Sequence, residues 1–320
     1  MGRFGAVGVV LVAVGSWACR TQPLNEVVPP TPSNLRWVEK APIGGAGGWT
    51  DGKSTFVDVR RSLDGGKTWS VTSTDVSPTS PLLGMWGRST SDLLVVHGAT
   101  NGIVAYRSTN GDGSQWAAVP GPSNATFTTM SGFGDGTVVI AGTRLVGGGI
   151  VAVKRPSSTE FVDTGLMLSQ RPSSICGTDA GGPIFVAVNE ARRGAVIKLA
   201  GVGGAQSTVF KARGELYGLW CSSSARDVYV VGGGGFAARS RDGGATWTEE
   251  ATPAKKDLFS VWGASPDVLW AVGDGGAIVR RTASGWSMDT SPTTQQVQAV
   301  WGRSSSDVWA VTQSSVLHLE

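Results

Sequence analysis

The chain has 320 residues, among them 47 glycines and 13 tryptophans, with 16% charged residues and a formal net charge of +3. So many aromatic and β-branched residues exclude a disordered chain. The small charge, with no dense Lys/Arg stripe, removes the electrostatic footprint of a nucleic-acid binder.

The first segment is MGRFGAVGVVLVAVGSWACR. One Arg precedes an apolar run that is short for a bilayer span, and small Ala18 stands just before Cys19. This is the pattern of a secretory signal, read as residues 1–18. Cys19 is the expected lipidation site of a bacterial lipoprotein, although Ser16 and Trp17 depart from the usual lipobox. Cleaved soluble export and an uncleaved anchor are the alternatives. Residues 19–33 then read as the lipidated Cys and a Pro-rich tether, able to span roughly 40 Å when extended. The expected place is the cell envelope, with the chain held as an outer membrane lipoprotein and touching the membrane only through its N-terminal lipid.

From residue 34 onward the chain repeats. NLRWVEK carries Trp37 on a lone strand, and RSLDGGKTWSVT follows at 61–72. GMWGRSTSDLLVVHG at 84 returns as GLWCSSSARDVYVVGG at 218, SVWGASPDVLWAVGDG at 260 and AVWGRSSSDVWAVTQ at 299. Weaker copies start at 129 and 174. The anchors Trp86, Met130, Cys176, Trp220, Trp262 and Trp301 recur about every 39 to 46 residues. A second series interleaves: Trp37, Trp69, Trp116, Phe161, Phe210, Trp247 and Trp286. Each period holds four short strands broken by Gly, Asp, Ser and Pro, and no long amphipathic helix interrupts them.

These spacings predict an all-β fold, a seven-bladed β-propeller of four-stranded blades over residues 34–320. The last period stops after its third strand, so residues 34–40 are expected to close the last blade and remove the open sheet edges. The short first segment, which lacks a good Trp-Gly strand, leaves six or eight blades as alternatives. A monomer is expected.

SLDGGKTW and SRDGGATW fit the pattern Ser-x-Asp-x-Gly-x-Thr-Trp, with STNGDGSQW at 108 as an insertion variant. On these motifs the chain resembles the BNR/Asp-box propellers. That group includes sialidases, non-catalytic exported proteins and photosystem II assembly (photosynthesis stability) factor-like propellers. The resemblance implies a fold more than a function. It also places the boxes at third-to-fourth strand hairpins on the outer rim, away from the axis. There Asp64, Gly66 and Trp69, and Asp242, Gly244 and Trp247, read as structural turn-formers. The aspartates Asp92, Asp227, Asp267 and Asp307, repeated before the second strand, read likewise as turn caps. The glycine runs at 44, 232 and 273 read as hairpin turns, since strands and not helices follow them.

No catalytic residue, metal site or cofactor is expected. His97 and His318 are far apart, no nucleophile elbow appears, and the sialidase N-terminal arginine motif is missing. Cys176 and Cys221 are read as a disulfide between equivalent points of adjacent blades, or else as two buried thiols. Propellers generally bind through fourth-to-first and second-to-third strand loops. Here those loops carry Arg171, Glu190, Arg192, Arg193, Lys255, Lys256, Gln295 and Gln296. The expected function is a non-catalytic envelope binding or assembly module for an envelope protein or a glycan. The alternatives are a sialidase-like carbohydrate-active enzyme and a lectin-like glycan binder.

Overall fold

The computed structural model describes residues 34–72, 82–98 and 102–320. The predicted signal, the tether and Cys19 lie outside the described residues. Antiparallel pairing sorts the strands into seven four-stranded sheets. Blade 1 is built from Gly48–Thr50, Thr55–Val57, Arg60–Ser62 and Ser70–Val71. Blade 2 is Leu82–Gly87, Leu93–His97, Ile103–Ser108 and Trp116–Pro120; blade 3 is Ala125–Gly132, Val138–Arg144, Gly149–Lys154 and Val162–Leu168. Blade 4 is Arg171–Gly177, Pro183–Glu190, Arg193–Ala200 and Gln206–Lys211; blade 5 is Leu216–Cys221, Val228–Gly232, Ala237–Ser240 and Thr248–Glu249. Blade 6 is Leu258–Ser265, Val268–Gly273, Ile278–Thr282 and Gly285–Met288. Blade 7 takes Val297–Ser304, Asp307–Thr312 and Val316–Leu319 from the end of the chain and Trp37–Ala41 from its start.

The first strands of successive blades touch one another in a closed circuit, blade 7 meeting blade 1. They therefore surround the axis, and the fourth strands form the rim. Trp37 pairs with Leu319 and Val38 with His318. As expected from the orphan strand, this covers the edge that the third strand of blade 7 would otherwise expose.

The second strands are apolar on both faces because each is sandwiched between neighbouring blades. Leu93–His97 and Val228–Gly232 are buried throughout. Continuous Val/Ile/Leu runs, instead of strict alternation, follow from that double burial. Register also finds the missing tryptophan of blade 1. Trp49 faces Phe56 as Trp262 faces Trp270 and Trp301 faces Trp309. Its indole nitrogen donates to the Gly87 carbonyl of blade 2 at 2.8 Å.

The run GGAGGW differs from the hairpin expected of it. It leads from the rim strand of blade 7 into the first strand of blade 1. A Cβ on Gly44 would fall 1.7 Å from the Gln313 carbonyl oxygen, and one on Gly48 would fall 2.3 Å from the Trp301 ring. These glycines allow close approach at the seam between blades 7 and 1. The runs at 232 and 273 do turn the chain, as short 3-10 segments between second and third strands.

Candidate functional site

The two ends of the ring differ. The lower face carries the first-to-second and third-to-fourth connections, and the upper face carries the other two. The motif DGGATW lies at the lower face of blade 5. Its Asp242 Oδ1 accepts the Ser240 hydroxyl and the Thr246 amide, each at 2.8 Å, and Oδ2 accepts the Thr246 hydroxyl at 2.5 Å. Gly244, at φ +86°, gives its amide to Ser240 Oγ at 2.8 Å. Asp64 repeats the arrangement with Ser62 at 2.8 Å and with the Thr68 amide and hydroxyl at 2.9 and 2.6 Å. Trp69 and Trp247 return their indole N–H to the carbonyls of Gly66 and Gly244. The Thr246 hydroxyl and amide, with the Ser240 hydroxyl, hold the Asp242 carboxyl down to about 2. The Thr68 and Ser62 bonds lower Asp64 as well. A general acid needs the opposite shift. These carboxylates tie turns.

Three of the four repeated aspartates act differently from the turn caps expected of them, while Asp227 closes its turn with Ser222, giving its amide to Ser222 Oγ at 3.1 Å and accepting the Ser222 amide at 2.9 Å. Asp92 binds Arg88 at 2.7 Å and Arg107 at 3.0 Å; Asp267 meets Arg281 at 3.3 Å and Arg241 at 3.4 Å. Asp307 faces Arg303 at 3.4 Å and His318 at 3.2 Å, and accepts the Trp309 N–H at 2.8 Å. Each lashes the first turn of its blade to that blade's own third strand. Among the described residues, no group of three or more His, Cys, Asp or Glu is placed to hold a metal. Nor does any helix there have the length and apolarity to cross a membrane.

The upper face holds all eight loop residues singled out from the sequence, in two groups. Arg171, Glu190, Arg192 and Arg193 belong to blade 4. Glu190 pairs with Arg193 across a two-residue turn in which Ala191 and Arg192 have φ of +48° and +64°. Left-handed backbone at two non-glycine residues costs about 1 kcal/mol or more each. Strain of this kind marks places where a side chain is presented for use. Lys255, Lys256, Gln295 and Gln296 lie on the entries to blades 6 and 7, and all four are exposed. Lys256 meets Asp274 at 3.7 Å, and Gln295 Oε1 accepts from Thr312 and Ser314 at 3.1 and 2.7 Å.

Sequence reasoning missed the residues nearest the axis. Six of the seven axial strands carry a β-bulge at the same level, near their upper ends. The bulged residues are Leu83, Thr128, Ser173, Tyr217, Phe259 and Gln298, all half-buried. A bulge re-aims one side chain and is found beside functional sites more often than elsewhere. The Thr128 hydroxyl donates at 2.7 Å to the Pro172 carbonyl, and that of Ser173 at 2.7 Å to the Leu216 carbonyl. On blades 3 and 4 the bulge thus sews one blade to the next.

On blades 5 to 7 it presents larger groups. The Tyr217 and Phe259 rings meet at 5.6 Å, tilted by 43°. Tyr217 donates its hydroxyl to Glu215 at 3.0 Å. Burial, with the Glu215 bond and the Asp257 charge, pushes its phenol up to about 12, so it stays a neutral donor. Gln298 makes no side-chain hydrogen bond among the described residues. Blade 1 is cut short at an Asp58–Val59 turn, whose carboxylate accepts the Ala46 amide at 3.3 Å. Only the bulge register, which depends on pairing, could have found this ring of side chains.

Cys176 and Cys221 are joined, with Sγ atoms 1.96 Å and Cα atoms 5.7 Å apart. The bond ties the axial strands of blades 4 and 5: Cys176 stands where blades 5 to 7 place tryptophan, and Cys221 follows Trp220, where blades 6 and 7 place glycine.

No family model matches the chain, and no curated protein does. Among solved structures, one described as "YCF48 bound to D1 peptide" superposes with a TM-score of 0.59 at 18% identity, covering 74% of this chain and 78% of the other. Another, "YCF48 from Cyanidioschyzon merolae", gives 0.44 at 14% identity, covering 83% and 74%. At these identities the likeness is one of fold.

Proposed function

We propose that this chain is a non-catalytic binding or assembly propeller of the cell envelope, carried there by its N-terminal signal and held by a lipid on Cys19. Its upper mouth takes an extended segment of a partner protein. The carrying observation is the uneven ring of bulged side chains. Thr128 and Ser173 are engaged between blades, while Tyr217, Phe259 and Gln298 offer two rings and an unbonded amide. Aromatic faces and a free amide suit a peptide, whose side chains stack and whose backbone both donates and accepts. The unequal set gives that segment one direction across the mouth. A propeller of similar fold, described as bound to a D1 peptide, supports a peptide partner. The depressed Asp64 and Asp242, on the opposite face, speak against an acid–base role for the box carboxylates.

The test is capture from envelope extract by the mature protein, beside a Tyr217→Ala/Phe259→Ala variant. A protein retained by the wild type and lost by the variant is expected. Equal capture by both contradicts the reading, as does turnover of a fluorogenic glycoside panel. Binding on a glycan array that needs the same two rings would support the lectin alternative instead. Palmitate labelling of the full chain, abolished in Cys19→Ser, is the expected sign of the anchor. An unlabelled wild type rejects it.

A further inference from the structure

We propose that Arg88, Arg107 and Lys154 form a binding site for a dianionic tetrahedral oxyanion on the lower face, where blades 2 and 3 meet. This surface is opposite the mouth and independent of the reading given to it.

The repeat itself picks out Lys154. It ends the third strand of blade 3 and pairs with Val138. In blades 1 and 5 the matching place, opposite Thr55 and Val228, belongs to Ser62 and Ser240. In blade 2 it belongs to Ser108, the residue after Arg107. Those serines are 1% exposed. The hydroxyls of Ser62 and Ser240 cap the turns of Asp64 and Asp242. Blades 4 and 7 fill the slot with Leu199 and Leu319, and blade 6 with Arg281, which Glu250 and Asp267 hold at 2.8 and 3.3 Å. Blade 3 puts a lysine there and leaves it 6% exposed. Its turn, RPSSTE, has no aspartate where Asp64 and Asp242 stand. The lysine therefore does not replace the serine's structural task.

Its ammonium is poorly served. Nζ donates to the Arg155 carbonyl at 3.4 Å, and among the described residues no carboxylate lies within ion-pair distance of it. The groups around it are mostly of the same sign. Arg88 reaches Asp92 through Nε and Nη2, each at 2.7 Å, and Arg107 reaches the same carboxylate through Nε at 3.2 Å and Nη2 at 3.0 Å. Arg88 also leans onto blade 3, with Nη1 3.0 Å from where a Cβ on Gly136 would sit. The two arginines share one carboxylate and the lysine beside them has none, so three cations and one anion leave two positive charges. Burial holds the Lys154 ammonium below its ordinary value, Arg107 and Arg88 press the same way, and Asp92 opposes them.

A buried charge without a partner is costly, and the fold offers a serine there in three other blades. A buried cation that lacks the carboxylate its counterpart Arg281 has in blade 6 is expected to serve a ligand. Guanidinium forks match the spacing of oxygen atoms on phosphate or sulfate, and an ammonium adds a point charge. A dianion balances the two uncompensated charges. Its source is either a free ion or a phosphate headgroup, both of which carry the same oxyanion.

The natural test is Lys154→Ser, which puts in the residue that blades 1, 2 and 5 use at this place and so keeps the fold. Calorimetric titration with inorganic phosphate at constant ionic strength reads the free ion. Co-sedimentation with phosphatidic acid in phosphatidylcholine vesicles reads the headgroup. Expected is binding in at least one arm that weakens at least tenfold in Lys154→Ser and again in Arg107→Gln, with circular dichroism unchanged. The responding arm assigns the source. The proposal is overturned if the wild type binds in neither arm, or if Lys154→Ser binds as the wild type does.

Discussion

Glu250 closes blade 5 and reaches across to blade 6. Its carboxylate accepts Arg281 at 2.8 and 3.0 Å and the Trp286 indole N–H at 2.8 Å. The Arg281 side chain is 6% exposed and lies 5.3 Å from the centre of the Tyr229 ring. Glu250→Ala leaves a buried guanidinium and a buried N–H short of their acceptor. Breaking a buried pair from one side costs about 3–5 kcal/mol. Asp267, from an exposed position, still reaches Arg281 at 3.3 Å, so the lower end applies, about 3 kcal/mol. Glu250→Gln keeps a neutral acceptor and is expected to lose about 1–2 kcal/mol. Urea unfolding should show both as lowered midpoints at unchanged m.

The pH dependence gives a second reading of the same contact. Burial lifts the Glu250 carboxyl, but the Arg281 bonds and charge outweigh it and hold the carboxyl below its ordinary value. A depressed carboxyl contributes stability that is complete above its unfolded value near about 4.3 and is lost as pH falls through the folded value. The gap between wild type and Glu250→Gln should therefore be full at neutral pH and shrink below about pH 4. A loss under about 1 kcal/mol for Glu250→Ala, or a gap that widens on acidification, refutes the reasoning.

Three further outcomes are expected. Replacing Cys176 and Cys221 by Ser removes a cross-link between residues 45 apart and should lower stability by about 4 kcal/mol in the chain-entropy picture, while dithiothreitol should lower the wild-type Tm but not that of the variant. Trp49→Ala should cost about 3–5 kcal/mol, since Trp49 is 6% exposed and carries the N–H bond to blade 2; Trp49→Phe should lose less, and equal losses for the two would disprove the packing part. Burial, against the Ala46 amide and the Arg60 charge, pushes the Asp58 carboxyl up to about 6. A raised carboxyl favours the fold while protonated, and that advantage fades as pH rises from about 4 through 6. Asp58→Asn, which also suits the φ of +49°, should therefore stabilise above pH 6 by on the order of 2 kcal/mol and little at pH 4.

The repeat was readable because its markers are local. Tryptophans at strand starts, Asp-Gly turns and the orphan Trp37 strand each sit within a few residues, and together they give seven blades and their closure. Trp49 was hidden because Thr50 follows it instead of glycine and its strand is only three residues long. GGAGGW read as a turn because its real need, room beside Gln313 and Trp301, comes from the far end of the chain. The loop residues of the upper face followed from strand order alone. The bulged ring did not, since a bulge exists only in the register of two paired strands. Arg281 and Glu250 stand 31 residues apart on different blades, and nothing local joins them. Lys154 was legible only in part: its column holds Ser62, Ser108 and Ser240, but also Leu199, Arg281 and Leu319, and what sets it apart from Arg281 is the missing carboxylate partner.

The proposed role places the partner in the upper mouth. Site-specific photocrosslinking in the native host tests this most directly, with a benzoylphenylalanine placed at Phe259 in the mouth or at Lys67 on the lower rim. One discrete crosslinked protein is expected from Phe259 and none of that size from Lys67. No product at Phe259, or the same product from both positions, would contradict it.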